Sequence, residues 1–355
     1  MTTTKICVNG KFFSQRVTGT QRYARELLIQ IDHLLSTEEK GRFEIDILVP
    51  RCAESIPQYK NLRVQVVGKL SGILWEQIEL PQYINGRLLL TLSGGAPIIN
   101  SRNIITIHDA AAMAAPEGYS IAYRLWWQNH CRRMAKTAER ILTVSNFSKS
   151  EIEKWYGAPQ EKISVTYLGS DHFHNLEADA STLTRFGISG NYILAVGSHN
   201  PNKNFARVVK AFEYLNKDNI EIVIAGGVDG RVFNENVKLL EGAHMLGYVS
   251  DAELKALYQN AACFVFASLY EGFGLPPLEA ASCGCPIVVS RSGSLPEIFD
   301  GVACFCDPYD PQNIATAIQC AIESPPATAT ELQAFARRFS WEQCASETLQ
   351  LLIRN

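Results

Sequence analysis

Long apolar runs and a strong excess of one charge are missing from this sequence, and each absence excludes a class of protein. No stretch reaches the ~20 apolar residues of a membrane-spanning helix, and the opening MTTTKICVNG lacks the apolar core of a signal peptide. The formal net charge is -3, whereas nucleic-acid-binding domains usually carry a basic excess. These absences predict a cytoplasmic protein with no nucleic-acid partner.

The ten cysteines occur without a secretory signal, which indicates reduced thiols rather than a disulfide framework. Two Cys-x-Cys pairs, Cys283 with Cys285 and Cys304 with Cys306, could form a four-thiolate zinc site. Their spacing differs from the usual Cys-x2-Cys, and in a strand over 303–307 both sulfurs fall on one face. We favour small buried apolar side chains over a zinc site.

The length of 355 residues exceeds one ordinary domain and predicts two cores. Hydrophobic residues make up 46% and charged residues 19%, which is typical of a globular protein. In the first half, short apolar runs alternate with helical patterns such as the amphipathic segment 20–35. The predicted strands are 6–8, 45–49, 88–92, 104–107 and 141–144. This alternation predicts a doubly wound α/β sheet.

The polar stretch 175–184 interrupts the pattern and predicts a linker, after which the alternation restarts. Strands are predicted over 192–196, 220–225, 263–267 and 287–290, with helices near 205–215, 251–259, 275–283 and 314–322. An amphipathic tail, 341–353, needs a partner surface. We predict a first domain over 1–178, a second over 186–338, and a C-terminal helix over 340–355 that packs on the first.

The loop after the predicted strand 263–267 has the features of an anion site. Its sequence is SLYEGFGLPPLE over 268–279, with Gly272 and Gly274 before a helix that begins at Leu275 or Pro276. Backbone N–H groups at a helix start attract anions, and a diphosphate is a natural ligand.

Two carboxylates flank this turn. Glu271 lies in the loop and Glu279 about one turn into the helix, so both could face a ligand at the helix start. Ionised carboxylates accept strong hydrogen bonds from sugar hydroxyls. The segment therefore predicts a site that holds a sugar and a phosphate together.

The segment EGFGLPPLEAASCGCPIVVSRSGSLPE resembles the retaining GT-B glycosyltransferases of family 4, and the similarity extends in outline over nearly the whole chain. Glu271 and Glu279 fit the family's Glu-x7-Glu pair. The resemblance implies that Glu271 faces the donor sugar as a catalytic residue and that Glu279 binds the nucleotide ribose. It also implies donor contacts from the backbone that follows: Gly272, Phe273, Gly274 and Leu275. The expected fold is GT-B, two Rossmann-like domains facing across a cleft.

A second cluster, VGSHNPNKNF over 196–205, follows the first predicted strand of the second half. Lys203 can place a positive charge beside a departing diphosphate and stabilise the charge that develops there. The resemblance assigns Lys203 this role, and Ser198 is assigned to the same donor site. Many relatives carry an arginine where this sequence has Asn202, and His199 or a more distant arginine could compensate.

In the first half, RVTGTQRYARELL over 16–28 resembles the family's first-domain glycine loop. The resemblance places Gly19 near the donor phosphates and puts Thr18, Thr20 and Arg22 on the acceptor side. Threonine before a helix can also act as a simple cap.

Further candidates lie where predicted strands end. His108 and Asp109 follow the strand 104–107, at the carboxyl edge where ligands bind in open α/β sheets. The resemblance implies that His108 touches the transferring sugar and puts Asp109 on the acceptor side. Val249, in GYVSD, falls where relatives hold the nucleotide base, and Ser145 fits either a family segment or a helix cap.

Together with these features, the resemblance implies a retaining transferase that moves a hexose from a nucleotide-diphosphate sugar, GDP-mannose or another, to a saccharide or lipid-linked saccharide. Segments such as TGTQRYARELL and LWEQIELP resemble bacterial mannosyl- and rhamnosyltransferases of polysaccharide biosynthesis. An Asp-x-Asp motif is absent, so neither a metal nor another cofactor is expected. The basic run 130–140 could contact an anionic membrane, although a solvated helix face is the simpler interpretation.

Two other functions could be built on such a fold. A nicotinamide-dependent oxidoreductase should show Gly-x-Gly-x-x-Gly after an opening strand, and neither 8–19 nor 196–205 contains it. A non-catalytic subunit that binds sugar nucleotides on the same fold gains some support from Asn202. The presence of both glutamates, Lys203 and His108 favours an enzyme.

Overall fold

The computed structural model describes residues 3–37, 39–100, 102–174, 176–198, 200–215, 220–226 and 243–353. The chain divides into two compact units. The first unit consists of Met1–Met113, Ile121–Leu168 and Ser340–Asn355, and the second of Ala114–Ser120 and Gly169–Phe339.

The first unit contains a parallel sheet of seven strands in the order β3-β2-β1-β4-β5-β6-β7. Its central strands are almost fully buried, as expected where helices cover both faces of a parallel sheet. The strands are β1 (Thr4–Asn9), β2 (Phe43–Val49), β3 (Leu62–Val66), β4 (Leu88–Thr91), β5 (Asn103–Thr106), β6 (Arg140–Thr143) and β7 (Ile163–Val165).

The second unit repeats the plan with a parallel sheet of six strands in the order β10-β9-β8-β11-β12-β13. Apolar runs such as CFVF and IVVS form its buried centre. The strands are β8 (Asn191–Val196), β9 (Ile220–Ala225), β10 (Ala243–Gly247), β11 (Cys263–Phe266), β12 (Ile287–Ser290) and β13 (Cys304–Cys306).

Helices connect the strands in both units. A π-helical turn, Trp75–Glu79, lies between the second and third helices of the chain. The helices are α1 (Gly19–Leu34), α2 (Gly72–Leu74), α3 (Leu80–Ile84), α4 (Ala111–Ala114), α5 (Ile121–Thr137), α6 (Asn146–Tyr156), α7 (Thr182–Arg185), α8 (Phe205–Ala211), α9 (Asp251–Asn260), α10 (Leu275–Ser282), α11 (Leu295–Phe299), α12 (Pro311–Glu323), α13 (Ala329–Ala336) and α14 (Trp341–Ile353). The predicted doubly wound α/β architecture is confirmed in each unit.

Each sheet reverses its strand order at one place. In the first sheet the order runs outward from β1 to β3 on one side and from β4 to β7 on the other, so the reversal lies between β1 and β4. The reversal in the second sheet lies between β8 and β11. Ligands of open α/β sheets bind at such points, outside the carboxyl ends of the strands.

The contacts place the unit boundary earlier than the predicted linker at 175–184. Residues 169–178 group with the second unit, and so does the segment Ala114–Ser120, which had been assigned to the first domain. One reason is that the Lys255 ammonium group donates hydrogen bonds to the backbone oxygens of Phe173, His174 and Leu176. This bonding ties the start of the polar stretch, and the residues just before it, to α9.

The C-terminal helix packs against the first helix of the first unit. Trp341 is fully buried in α14, and its ring lies 6.1 Å from the ring of Tyr23 in α1. The apolar face of the tail therefore has a partner surface within this unit.

The cysteines are free thiols. Within the described ranges, no group of three or more His, Cys, Asp or Glu side chains could hold a metal ion. Cys304 and Cys306 are both buried on one side of β13, and burial raises the pKa of the Cys306 thiol to about 12. A search of the described helices also finds none that is long and apolar enough to cross a membrane.

Candidate donor and acceptor sites

An ion pair lies at the strand reversal of the second unit. The Lys203 ammonium nitrogen, from the loop after β8, is 2.6 Å from Oε1 of Glu271, from the loop after β11. Both side chains are largely buried, with 20% and 14% of their surface exposed. The structure thus brings together the two second-half residues that were predicted to be catalytic.

The position of Lys203 is fixed by its surroundings. Lys203 ends the short 3-10 turn Pro201–Lys203, which the Asn200 side chain caps by accepting a hydrogen bond from Asn202 N. The ammonium group also lies 4.8 Å from the centre of the Phe266 ring, a cation–π contact. The Lys203 ammonium group therefore lies at the carboxyl ends of β8 and β11.

The backbone of Glu271 is supported by a neighbouring loop. Its carbonyl oxygen accepts hydrogen bonds from the Ser294 backbone N–H at 3.0 Å and from the Ser294 hydroxyl at 3.2 Å. A Cβ atom on Gly293 would lie 2.4 Å from that oxygen, closer than real contacts allow. Glycine is therefore required at position 293 for the two loops to meet.

The predicted helix start after Glu271 is present. Gly274 caps α10 with φ 99°, a conformation that favours glycine, and Leu275 is the first helical residue. Gly272, Phe273 and Leu275 are all buried. Donor contacts from this segment would therefore come from backbone N–H groups rather than from side chains.

The second carboxylate, Glu279, is held by two residues that the sequence analysis missed. Nε2 of His172 lies 3.1 Å from one carboxylate oxygen, and the Tyr258 hydroxyl donates to the other at 3.4 Å. Glu279 is only 6% exposed. His172 is 107 positions away in the chain, so no local pattern indicated this pairing.

The remaining donor-site candidates differ in their exposure. Ser198 is exposed just after β8, whereas Val249 is buried, so only its backbone could contact a nucleotide base. Asn202 is buried and its amide donates weakly to the Ala115 carbonyl at 3.5 Å, which indicates a structural role. His199 lies outside the described residues.

In the first unit, the predicted glycine loop forms the start of α1. Thr18 caps the helix, and its N–H donates to Oε1 of Gln21 at 3.2 Å, while the Thr20 hydroxyl donates to the same oxygen at 3.1 Å. Apart from Gly19, its two neighbours and the backbone of α1, no atom of the described residues lies within 4 Å of a Cβ built on Gly19. Arg22 pairs with Glu26 at 3.5 Å.

His108 lies beyond the end of β5 in a position that keeps it neutral. Its Nε2 is 3.0 Å from the Leu92 carbonyl oxygen, which can only accept, so this contact requires the proton on Nε2. The ring of Tyr23 meets it edge-on at 4.8 Å. Burial lowers the pKa of His108 to about 4, and Nδ1 is left as the unprotonated nitrogen.

Two neighbouring candidates make local hydrogen bonds. Asp109 accepts from the Ala111 N–H at 2.9 Å and so helps to begin α4. Ser145 caps α6, where its hydroxyl oxygen accepts from the Ser148 N–H.

A buried polar cluster at the strand reversal of the first sheet was not predicted. Asn9 at the end of β1 donates to Glu76 at 2.8 Å and to the Gly95 carbonyl at 3.3 Å, and the Lys11 ammonium group lies 2.6 Å from Glu76. Nε2 of His130 accepts from the Ala96 N–H. These residues lie far apart in sequence, so only the fold brings them together.

His130 in this cluster is neutral and incompletely bonded. Burial, followed by the nearby Lys11 charge, lowers the pKa of His130 to about 4. Because Nε2 accepts a hydrogen bond, Nδ1 carries the proton, and that N–H has no acceptor among the described residues.

Comparison with known proteins gives both sequence relatives and structural neighbours. Residues 186–339 match the family model "Glycosyl transferases group 1". O-antigen chain mannosyltransferase B of Escherichia coli is 33% identical over 264 residues, covering 70% of this chain and 69% of that protein. O-antigen chain mannosyltransferase RfbU of Salmonella typhimurium is 28% identical over 270 residues, covering 74% and 72%.

Solved structures match over nearly the whole chain. Sucrose-phosphate synthase of Thermosynechococcus elongatus superposes with a TM-score of 0.76 at 19% identity, covering 99% of this chain and 98% of that one. Anabaena Alr3699/HepE, solved with UDP and glucose, gives a TM-score of 0.72 at 18% identity and covers 100% of both chains. With two Rossmann-like units of the GT-B fold and a mannosyltransferase relative at 33% identity, the chain belongs to the glycosyl transferases group 1 family.

Proposed function

We propose that this glycosyltransferase moves mannose from GDP-mannose to a saccharide acceptor in polysaccharide biosynthesis. The single observation that carries the proposal is the pairing of Lys203 with Glu271 at the strand reversal of the second unit. The names of the O-antigen mannosyltransferase relatives support mannose as the sugar. Another nucleotide-diphosphate sugar is the nearest alternative donor.

In the proposed reaction, the donor diphosphate replaces Glu271 as the partner of the Lys203 ammonium group. The ammonium group then stabilises the negative charge that develops on the leaving diphosphate, and backbone N–H groups at the start of α10 add to this effect. Glu271 is released to accept hydrogen bonds from the sugar, and Glu279 accepts them from the ribose. Both assignments stay proposals.

We further propose that the anomeric configuration of the sugar is retained. The acceptor oxygen would attack the face from which the diphosphate leaves, and a phosphate oxygen would take the acceptor proton. The new glycosidic bond forms as the sugar–phosphate bond breaks, and the electron pair goes to the diphosphate. Proton NMR of the first product formed should show the anomeric configuration of the donor. An inverted product would overturn this step.

The donor proposal is tested by thermal shift against GDP-, UDP-, dTDP- and ADP-sugars, because a ligand that binds only the folded state raises its stability. We expect GDP-mannose to give the largest shift. Lys203→Ala should weaken its binding about 10- to 100-fold, the usual scale for a lost charge-assisted hydrogen bond. Lys210→Ala, which removes an exposed lysine of α8, is the matched control. If Lys203→Ala and Lys210→Ala bind GDP-mannose equally tightly, Lys203 is not part of the donor site.

No metal is proposed for the reaction, since Lys203 and the helix-start N–H groups can neutralise the diphosphate. Transfer in excess chelator should equal transfer in untreated buffer. Loss of transfer on chelation, restored by a divalent ion, would contradict this.

We also propose a peripheral contact with anionic membrane, which would suit a lipid-linked acceptor. One face of α5 carries exposed Ile121 and Leu125, 73% and 57% exposed, followed by exposed Arg132 and Lys136. Apolar and basic groups on one helix face are typical of binding to anionic lipid surfaces. Wild type should sediment with phosphatidylglycerol vesicles at low salt, and the double variant Arg132→Glu/Lys136→Glu should not. Equal sedimentation of both would exclude this face.

The alternative function is a subunit that binds sugar nucleotides without turning them over. Slow hydrolysis of the bound donor in the absence of acceptor distinguishes the two, because only an active site releases free sugar. Binding without any release of sugar would favour the non-catalytic subunit.

A further inference from the structure

Helix α5 presents a second face, opposite the aliphatic and basic one, that is aromatic. Tyr123, Trp126, Trp127 and His130 are spaced three and four residues apart and therefore share one side of the helix. The Trp126 and Trp127 rings are each stacked near His130, at 5.3 and 5.8 Å, and Tyr123 is parallel to Trp127 within 8°. We call these four residues the aromatic face.

The aromatic face lies at the strand reversal of the first sheet. A Cβ atom on Gly94, in the loop after β4, would lie 3.5 Å from the Trp127 ring, and Ala96 in the same loop bonds to His130. Partial burial raises the pKa of Tyr123, and the nearby Cys131 thiol and Asp109 carboxylate add to that shift. Asp109 follows β5, so the face adjoins the carboxyl ends of two neighbouring strands.

The outer half of this face is open to solvent while its inner half is fixed. Tyr123 is 42% and Trp126 37% exposed, whereas His130 is 3% exposed. His130 is held by the Ala96 N–H, and the buried pair Lys11–Glu76 with Asn9 lies against the same loop. Rigid aromatic rings whose inner contacts are fixed lose little conformational entropy when a ligand covers them.

We propose that the aromatic face binds the acceptor saccharide by stacking against the sugar rings. A pyranose has one face lined by C–H groups, which packs on an aromatic ring, and hydroxyl groups around its edge that need polar partners. Asp109, which is partly exposed, can accept from such a hydroxyl. Purely aliphatic side chains, as on the opposite side of α5, would suit an acyl chain better.

This inference rests on the proposed function, because it names the acceptor of the same reaction. The residues involved are different, because the aromatic face belongs to the first unit and the proposed donor residues Lys203 and Glu271 belong to the second. Binding of a saccharide can therefore be measured without a donor.

The experiment measures the affinity of α-mannotriose for the full chain by calorimetry, without nucleotide sugar. Trp126→Ala should lower the affinity about tenfold, the scale of one lost aromatic contact. Tyr83→Ala, which removes a tyrosine of α3 that is 39% exposed, should bind like wild type. Tyr123→Ala gives an independent test from the same face if Trp126→Ala does not fold.

Other results would overturn the inference. Equal affinity of Trp126→Ala, Tyr123→Ala and wild type would exclude the aromatic face. If Trp126→Ala keeps its affinity for mannotriose but no longer binds phosphatidylglycerol vesicles, the aromatic face is part of a lipid-binding surface. If wild type hydrolyses GDP-mannose yet binds no mannotriose, the acceptor inference fails while the donor half of the proposed function stands.

Discussion

At the scale of single residues, the two candidate site carboxylates of the second unit are each held by a partner from a distant part of the chain. Glu271 pairs with Lys203, and Glu279 pairs with His172. Such pairs orient the carboxylates before a ligand enters, which reduces the reorganisation needed on binding. In the proposed reaction the pair Lys203–Glu271 opens for the donor, whereas the contacts of Glu279 stay in place.

His172 is therefore expected to act as a positioning residue for Glu279. In His172→Ala the carboxylate loses one of its two side-chain contacts, so donor affinity should fall about tenfold, near the value of one hydrogen bond to a charged group. The kcat at saturating donor should change little. Calorimetry with the nucleotide sugar and steady-state kinetics check this, with the exposed His174→Ala as control. A fall in kcat at unchanged affinity would contradict a positioning role.

At the scale of secondary-structure elements, the sequence predicts the centre of each sheet better than its edges. Strands β1, β4, β5, β8 and β11 are short apolar runs because both faces are buried, and that pattern is readable. The edge strand β3 has only its first residue buried, so its sequence LRVQV carries no clear apolar run. Strand β7 was missed because three residues are too few for a pattern.

The candidate site residues also differ in whether the sequence predicts them. Lys203 and Glu271 follow central strands, so the rule that ligands bind at strand ends could find them. The first-unit cluster of Asn9, Glu76 and His130 draws on a strand end, a π-helical turn and a mid-helix position. No spacing in the sequence links these three, because their proximity depends on tertiary packing.

The C-terminal helix is expected to be an integral part of the first unit. Trp341→Ala removes a fully buried aromatic ring, which should destabilise the unit by about 3–5 kcal/mol. This corresponds to a fall in melting temperature on the order of 10 °C. Ile353→Ala, at a 38% exposed position of the same helix, is the control and should melt like wild type. Calorimetric melting with no difference between the variants would show that α14 does not support this unit.

At the scale of the whole molecule, His108, which is partly buried, and His130, which is buried, make stability depend on pH. The pKa values of His108 and His130 are lowered by burial from 6.5 to about 4. Between these values the unfolded chain binds protons that the folded chain does not, so acid favours unfolding. The stability is present in full above pH 6.5 and is lost as the pH falls toward 4. Both histidines lie in the first unit, which should be the more acid-sensitive one.

Melting temperatures measured from pH 7.5 to pH 4.5 test this expectation. Wild type should lose several degrees below pH 6.5, and His130→Gln should lose fewer because one titrating group is gone. The exposed His33→Gln serves as control and should follow wild type. If the melting temperature of His130→Gln falls with pH as steeply as that of wild type, His130 does not cause the loss of stability in acid.

The central claim is that the second unit holds a nucleotide sugar between Lys203 and Glu271 and that the chain transfers the sugar. The most direct test measures GDP release from saturating GDP-mannose, with a mannose oligosaccharide as acceptor, by wild type and Glu271→Gln. Glu213→Gln, which changes an exposed carboxylate of the same unit, is the matched control. We predict that Glu271→Gln turns over at least about 100-fold more slowly, with donor affinity nearly unchanged, and that Glu213→Gln equals wild type. Turnover by Glu271→Gln at the wild-type rate would contradict the account.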